Sequence, residues 1–253
     1  MTPPIGIQLY SLRAEAARDF PAVIERLGRT GFAGVELAGL NGMTPSELRR
    51  RLADAGLEIA AAHVQAPIGD ARERVLDEQE ALGTKTLVVP FMPPDRFKSS
   101  DAIRAVAAEI REAYANASAR GMALGYHNHW WEFETVHGGK TAHELLMAQL
   151  EPAIFVELDT YWTRVGGRDP AKVVSELGAR VHLLHLKDGP ADVPKSPMTA
   201  VGDGVLDFPA IVAASDTVRW HIVELDACAT DMFEAIEKSY RYLVSRGLSR
   251  GRV

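Results

Sequence analysis

A short apolar run followed by an amphipathic helical pattern occurs eight times along the chain. The runs occupy residues 5–9, 34–37, 58–62, 86–89, 123–126, 154–158, 181–186 and 220–223. Such runs between turn residues are typical of buried parallel strands. Eight units in 253 residues predict an α/β fold, a (β/α)8 TIM barrel, in a single domain over residues 1–253. An open doubly wound sheet is the alternative, but no G-x-G-x-x-G follows the first run.

Helix-start signals between the runs agree with this repeat. Thr44 with Glu47, and Thr141 with Glu144, have the spacing of capping boxes, in which a threonine and a glutamate satisfy two free backbone N–H groups. Asp101 is expected to open a long helix after the fourth run. The helices should therefore cover the outside of the barrel.

The charge and the cysteine count exclude some classes of partner and location. The chain has 28 Lys and Arg against 34 Asp and Glu, a formal charge of −6, and this excess of acid argues against a nucleic-acid partner. Cys228 is the only cysteine, so no internal disulfide is expected and a reducing, cytoplasmic location fits. We also expect no signal peptide and no membrane-spanning segment.

Polar side chains gather where the predicted strands end, which in a (β/α)8 barrel is the face that carries the active site. These residues are Gln8, Tyr10, Glu36, His63, His127, His129, Glu132, Asp159, His185, Lys187 and Glu224. Carboxylates brought together on the barrel axis would repel one another unless a cation lay between them. A mixed set of carboxylates and imidazoles suits one divalent metal ion, Mn²⁺, Mg²⁺, Co²⁺ or Zn²⁺.

Several neighbours of these residues have structural interpretations as well. Glu157 lies two residues before Asp159, so it points to the same face, one layer deeper, and could support the site from below. Asp188 and Asp226 are interpreted as loop caps. The pair Trp130 and Trp131 is expected to serve in packing, although aromatic faces could also form the wall of a sugar site.

The whole chain resembles the xylose isomerase-like barrel superfamily, also described as sugar phosphate isomerases/epimerases. Residues 126–133, Tyr-His-Asn-His-Trp-Trp-Glu-Phe, are similar to the motif that marks one branch of it. Residues 6–13, 158–162, 185–188 and 223–226 resemble the first, sixth, seventh and eighth strands of the family.

The resemblance implies one divalent metal held by four side chains. Asp159, His185 and Glu224 match three of them. The ligand after the fifth strand stays open between Glu132, which we favour, and His127.

The resemblance also implies an isomerase or epimerase that moves a proton through a metal-stabilised enediolate of a ketose or keto-sugar. Glu132 and Glu224 are the expected proton-transferring pair, His127 is a candidate proton shuttle, and Lys187 could polarise an oxygen. The expected substrate contacts are Gln8, Tyr10, Glu36, His63, His129 and Trp162.

Three alternatives remain open from the sequence. The same site could act as a lyase or hydratase on a 3-keto sugar or an inositol derivative. An apurinic-site nuclease of the same superfamily is disfavoured by the acidic charge. A barrel that binds a sugar without catalysis would require a broken ligand set. The expected partner is a small unphosphorylated sugar or polyol, and the chain could form a homo-oligomer, as barrels of this kind often do.

Overall fold

Eight parallel strands close into one barrel in the computed structural model, which describes residues 2–252. The strands are β1 Ile5–Gln8, β2 Gly34–Leu37, β3 Glu58–His63, β4 Thr86–Val89, β5 Ala123–His127, β6 Phe155–Asp159, β7 Val181–Leu186 and β8 Trp220–Val223. Each strand pairs with its neighbours in sequence, and β8 pairs with β1. The predicted (β/α)8 TIM barrel is therefore confirmed.

Helices occupy the connections between the strands. They are α1 Arg13–Thr30, α2 Pro45–Asp54, α3 Arg72–Leu82, α4 Ser100–Ala119, α5 Trp131–Glu134, α6 Ala142–Met147, α7 Thr160–Val165, α8 Pro170–Leu177, α9 Phe208–Ala213 and α10 Met232–Ser245. A small antiparallel hairpin, residues 136–141, adds a feature that the sequence pattern did not predict. Within residues 2–252, no helix combines the length and the apolar character needed to cross a membrane.

The strand ends differ from the apolar runs in a consistent way. His63, His127 and Asp159 are the last residues of their strands, whereas the runs stopped one residue earlier because they were defined by apolar character. Leu9, in contrast, was expected in the first strand but begins a single turn of 3-10 helix. The backbone thus extends to the polar residues that form the site.

The helix-start signals are confirmed in part. Thr141 and Glu144 form a complete capping box. The Thr44 side chain accepts a hydrogen bond from the Glu47 N–H at 3.3 Å, but the Glu47 carboxylate pairs with Arg51 one turn later instead of returning to the cap. The expectation that Asp101 opens the long helix is wrong by one residue, because Ser99 caps α4 and Ser100 begins it.

The barrel interior is apolar near the amino ends of the strands and polar near their carboxyl ends. Phe155 and Ile222 belong to a buried apolar cluster in the lower half, and a Cβ at Gly125 would overlap the Phe155 ring. The strand register shifts twice, between Val35 and Glu36 and between Val156 and Glu157. Both shifts lie where the interior changes from apolar to polar.

Candidate active site

A cavity of about 450 Å³ opens at the carboxyl ends of the strands. Its lining residues come from the loops and strand ends around the axis, and they are Tyr10, Ala38, His63, Pro90, Phe91, His127, His129, Lys187, Glu224 and Asp226. Another cavity, of about 430 Å³, lies on the flank between α1 and α2 and contains none of the predicted site residues. The mouth of the barrel is therefore the candidate active site.

Four side chains of types that can bind a metal converge at the floor of this cavity. One ligand atom from each of His127, Asp159, His185 and Glu224 lies within 4.8 Å of the others, and all four residues are buried. We call these four residues the upper group. His127 Nε2 lies 3.7 Å from Asp159 Oδ2, and the Lys187 ammonium lies 2.9 Å from the same carboxylate oxygen. This mixture of two imidazoles and two carboxylates fits a divalent cation.

Lys187 projects its ammonium group among the carboxylates of this group. Its Nζ lies 2.5 Å from Glu224 Oε2, 2.9 Å from Asp159 Oδ2 and 2.7 Å from Asp226 Oδ2. Burial raises the pKa of Glu224, but Lys187 and His185 outweigh it and hold that pKa well below its usual range. Burial raises the pKa of Asp159 to about 6 even beside the lysine. Both carboxylates are thus ionised at neutral pH.

Asp159 is held from several sides. Its Oδ1 accepts a hydrogen bond from the Trp162 N–H at 2.8 Å, which makes it the N-cap of α7. Its own N–H donates to Asn128 Oδ1 at 3.0 Å. Asn128 belongs to the motif at residues 126–133, so that motif fixes the aspartate at the end of the neighbouring strand.

Glu132 lies outside the upper group. Its carboxylate accepts hydrogen bonds from the Tyr126 hydroxyl at 2.7 Å and from the His129 N–H at 2.9 Å. Burial raises its pKa to about 8. Of the two alternatives for the ligand after the fifth strand, the structure brings His127, not Glu132, together with Asp159 and the other candidate ligands.

A second polar layer, Glu36, His63 and Glu157, lies directly below the upper group and is called here the lower layer. Glu157 Oε2 lies 2.7 Å from His63 Nε2 and 3.0 Å from His127 Nδ1. Glu36 Oε2 lies 2.7 Å from His185 Nε2 and accepts a hydrogen bond from Gln8 Nε2 at 2.7 Å. Glu36 and Glu157 are fully buried.

The residues predicted to contact substrate fall into two sets. Tyr10, His63 and His129 line the cavity. Gln8 and Glu36 are fully buried in or beside the lower layer and do not line the cavity. Trp162 is also absent from the lining and lies behind Lys187, whose Nζ is 5.3 Å from its ring centroid. Of the residues predicted to contact substrate, the structure thus places only Tyr10, His63 and His129 where they can reach a molecule in the cavity.

The tryptophan pair packs within the protein, as expected. Trp131 stacks under the His129 ring, with ring centroids 4.4 Å apart, and Trp130 packs against Trp162 at 4.7 Å. Phe91, which the sequence reasoning did not select, lines the cavity and is half exposed. Its position directly after the fourth strand was the signal available to find it.

The two aspartates interpreted as loop caps have different roles. Asp188 caps a loop as expected, because its carboxylate accepts hydrogen bonds from the N–H groups of Gly189, Gly202, Gly204 and Leu206. The interpretation of Asp226 as a loop cap is corrected, since its carboxylate pairs with Lys187 at the cavity wall. Asp226 lies two residues after Glu224, so the two side chains point to the same side of the chain. Glu157 and Asp159 have the same spacing, and both point into the barrel.

The chain is similar in sequence to an epimerase and to an inosose dehydratase. The chain is 32% identical over 173 residues to a 2-epi-5-epi-valiolone 7-phosphate 2-epimerase from an Actinoplanes species, which covers 68% of this chain but only 57% of that enzyme. It is 26% identical over 252 residues to an inosose dehydratase from Geobacillus kaustophilus, covering 81% of this chain and 79% of the relative.

A solved sugar phosphate isomerase/epimerase from Parabacteroides distasonis has the same fold. The TM-score is 0.82 at 24% identity, over 99% of this chain and 96% of that one. Residues 24–226 match the family described as xylose isomerase-like TIM barrel. The chain therefore belongs to the xylose isomerase-like TIM barrel family.

Proposed function

We propose that this chain is a divalent-metal-dependent isomerase or epimerase that moves a proton through an enediolate of a ketose or keto-sugar. The convergence of His127, Asp159, His185 and Glu224 at the floor of the cavity carries the proposal. The similarity to an epimerase and to inosose dehydratases supports an enzyme that acts on sugars or cyclic polyols.

The four residues of the upper group would hold the ion, with His127 in place of the Glu132 that we favoured from the sequence. When bound, a divalent ion would stabilise negative charge on the carbonyl and hydroxyl oxygens of the substrate. Mn²⁺, Mg²⁺, Co²⁺ and Zn²⁺ all accept this mixture of carboxylates and imidazoles.

Two carboxyl groups of opposite protonation state are suited to the proton transfers. Glu224 lines the cavity and is ionised, so it can remove a proton from a carbon next to a carbonyl. Glu132, with a pKa raised by burial to about 8, keeps its proton at neutral pH; it is fully buried and does not line the cavity, so returning this proton to a substrate requires Glu132 to turn toward the cavity. Environments that separate two carboxyl pKa values in this way commonly mark an acid and a base.

Lys187 and the cavity histidines would orient the sugar. The Lys187 ammonium can donate hydrogen bonds to a substrate oxygen once it leaves one of its three carboxylate partners. Burial, together with the charges of His127 and Lys187, lowers the pKa of His129 well below its usual range. A neutral imidazole at the wall can accept a proton or a hydroxyl hydrogen bond.

The second candidate is a dehydratase that eliminates water from a keto-polyol at the same site. The similarity to the inosose dehydratase, which extends over 81% of this chain, favours it. Both reactions begin with removal of a proton next to a carbonyl, so Glu224 would serve either one. They differ in whether a hydroxyl group then leaves.

Solvent exchange distinguishes the two reactions. Metal-stripped protein is reloaded with Mn²⁺ and incubated with a panel of ketoses and keto-polyols in D₂O, and after removal of the metal the sugars are followed by NMR. An isomerase or epimerase replaces one carbon-bound hydrogen by deuterium and keeps every hydroxyl, whereas a dehydratase yields an unsaturated ketone. Glu224→Gln should lower either rate by about 10²–10⁴-fold. Equal turnover by chelated and reloaded protein would overturn the metal-dependent proposal.

The other partners remain predictions. We propose a small sugar or polyol as substrate and no nucleic acid, which a gel shift with abasic duplex at low salt would test. Cytoplasmic location and a homo-oligomeric state also stay predictions.

A further inference from the structure

We propose that Glu157, assisted by Glu36, is a positioning residue that fixes the ring tautomers of His127 and His185. Each ring then presents an unprotonated nitrogen to a metal ion bound by the upper group. This inference rests on the proposed metal site and deepens it. It assigns a role to two fully buried carboxylates that do not line the cavity.

One oxygen of Glu157 faces three imidazoles. Glu157 Oε2 lies 2.7 Å from His63 Nε2, 3.0 Å from His127 Nδ1 and 3.2 Å from His185 Nε2. An ionised carboxylate can only accept hydrogen bonds, so a ring nitrogen bonded to it must carry a proton. Each of these contacts therefore selects the protonated nitrogen of a histidine ring.

The protonated nitrogens define the free ones. His127 donates from Nδ1 to Glu157, which leaves Nε2 with its lone pair 3.7 Å from Asp159 Oδ2. His185 has its Nε2 at 2.7 Å from Glu36 Oε2, and its Nδ1 lies 2.9 Å from Glu224 Oε2. Because Glu224 is ionised, His185 Nδ1 also carries a proton when no cation is bound. A cation held by the upper group would displace that proton, and Glu36 and Glu157 would keep the remaining proton on Nε2. Both rings then bridge the two layers, with the proton below and the free nitrogen above.

The backbone is adapted to this arrangement. The register between β2 and β3 shifts directly before Glu36, and the register between β6 and β7 shifts directly before Glu157. Such irregularities change where the following side chains point and often lie next to functional sites. As a result Glu157 pairs with Leu183, so that Asp159 and His185 come side by side two residues later.

Long-range ¹H–¹⁵N NMR on the Zn²⁺-loaded protein reads the tautomers directly. We expect His127 to carry its proton on Nδ1 and His185 on Nε2, with the other nitrogen of each ring bound to zinc. Zinc bound to wild-type protein with either ring in the opposite tautomer overturns this inference but leaves the proposed function standing. No zinc or Mn²⁺ bound by wild-type protein overturns both.

Glu157→Gln supplies an independent test with calorimetric Mn²⁺ titration. Glu157 Oε1 has no hydrogen-bond partner, so nothing in the structure keeps the oxygen of the new amide, rather than its NH₂ group, turned toward the imidazoles. A neutral amide therefore no longer holds the rings in one tautomer as a carboxylate does. We expect Mn²⁺ affinity to fall about 10–100-fold, as for other carboxylates that support a metal-binding histidine. Glu144→Gln is the matched control, because it removes a carboxylate from the helix cap of α6 and should leave Mn²⁺ affinity unchanged. Unchanged affinity in a folded Glu157→Gln protein overturns the inference.

Discussion

Lys187→Met removes the ammonium group that neutralises the carboxylates of the upper group. Lys187 is 1% exposed, and its Nζ contacts Asp159, Glu224 and Asp226 at 2.5–2.9 Å. Methionine has a similar volume, so the change removes the charge with little loss of packing. Asp159 and Glu224 are then buried without their nearest cation.

The expected destabilisation follows from the cost of an uncompensated buried charge. Removing one partner of a buried ion pair costs about 3–5 kcal/mol. In a chain of this size each kcal/mol lowers Tm by about 2–4 °C. We therefore expect the metal-free variant to melt roughly 6–20 °C below the wild type. Burial raises the pKa of Asp159 to about 6, so this carboxylate can be partly protonated in the variant. The fall in Tm should then lie toward the smaller end of this range.

A divalent cation should reverse much of this loss, because it supplies the positive charge that the lysine no longer provides. An ion that binds only the folded protein adds about 2.7 kcal/mol at one hundred times its Kd. The variant should also bind Mn²⁺ more tightly than the wild type, since no ammonium competes for Glu224 and Asp159. The Tm difference between the two proteins should therefore narrow when Mn²⁺ is added.

Scanning calorimetry of metal-stripped proteins, with and without Mn²⁺, measures both effects. Lys238→Met is the matched control, because Lys238 pairs with Asp203 at 2.6 Å but both side chains are well exposed. Exposed pairs contribute about 0–1 kcal/mol, so this variant should melt close to the wild type. If metal-free Lys187→Met melts within about 2 °C of the wild type, or Mn²⁺ leaves the difference unchanged, the reasoning is refuted.

Three further variants test other parts of the structure. Glu132→Gln should gain stability over the wild type by up to about 1.4 kcal/mol per pH unit between pH 4.5 and 8. The reason is that burial raises the folded-state pKa of Glu132 to about 8, so the folded wild type keeps a proton that its unfolded chain has lost, and its stability falls as the pH rises. If the free energies of urea unfolding of the two proteins change in parallel with pH, this reasoning is contradicted. Asp188→Asn should cost about 2–3 kcal/mol, because the amide nitrogen faces backbone N–H groups that the carboxylate satisfied; an unchanged rate of proteolysis in loop 189–206 would oppose it. Gly125→Ala should cost about 1–3 kcal/mol by overpacking against the Phe155 ring, whereas Gly6→Ala, whose added Cβ meets its nearest atom at 3.4 Å, should cost less in the same unfolding assay.

The repeat of apolar runs was sufficient to predict the fold because each strand of a closed parallel barrel is buried on both faces. The same rule explains the errors at the strand ends. His63, His127 and Asp159 belong to their strands, but a pattern defined by apolar residues stops before a polar one. The hairpin at residues 136–141 has only two residues in each strand, which is too few to show the alternation of apolar and polar residues that predicts a strand.

Spacing placed Asp159, His185 and Glu224 at one rim but could not choose between His127 and Glu132. That choice depends on direction, because His127 points into the barrel beside Glu157, whereas Glu132 is turned to the Tyr126 hydroxyl. Spacing also predicted that Glu157 lies one layer deeper than Asp159. Its contacts with His63 and His127 could not be predicted, since they follow register shifts that leave no mark in the pattern of apolar residues.

The buried charges of the two layers favour a divalent cation over a monovalent one. Both layers together contain four buried carboxylates, Glu36, Glu157, Asp159 and Glu224. Lys187 offsets one of them, and the carboxylates around His63 and His185 outweigh burial and raise the pKa of both rings. With both rings protonated and all four carboxylates ionised, one negative charge remains uncompensated in a region where unpaired charge is costly; accordingly burial and the neighbouring Glu157 raise the pKa of Glu36 to about 7. A divalent ion that takes the place of the His185 proton removes that excess, whereas a monovalent ion in the same place would leave it. The expected preference for a divalent ion thus arises from both layers together.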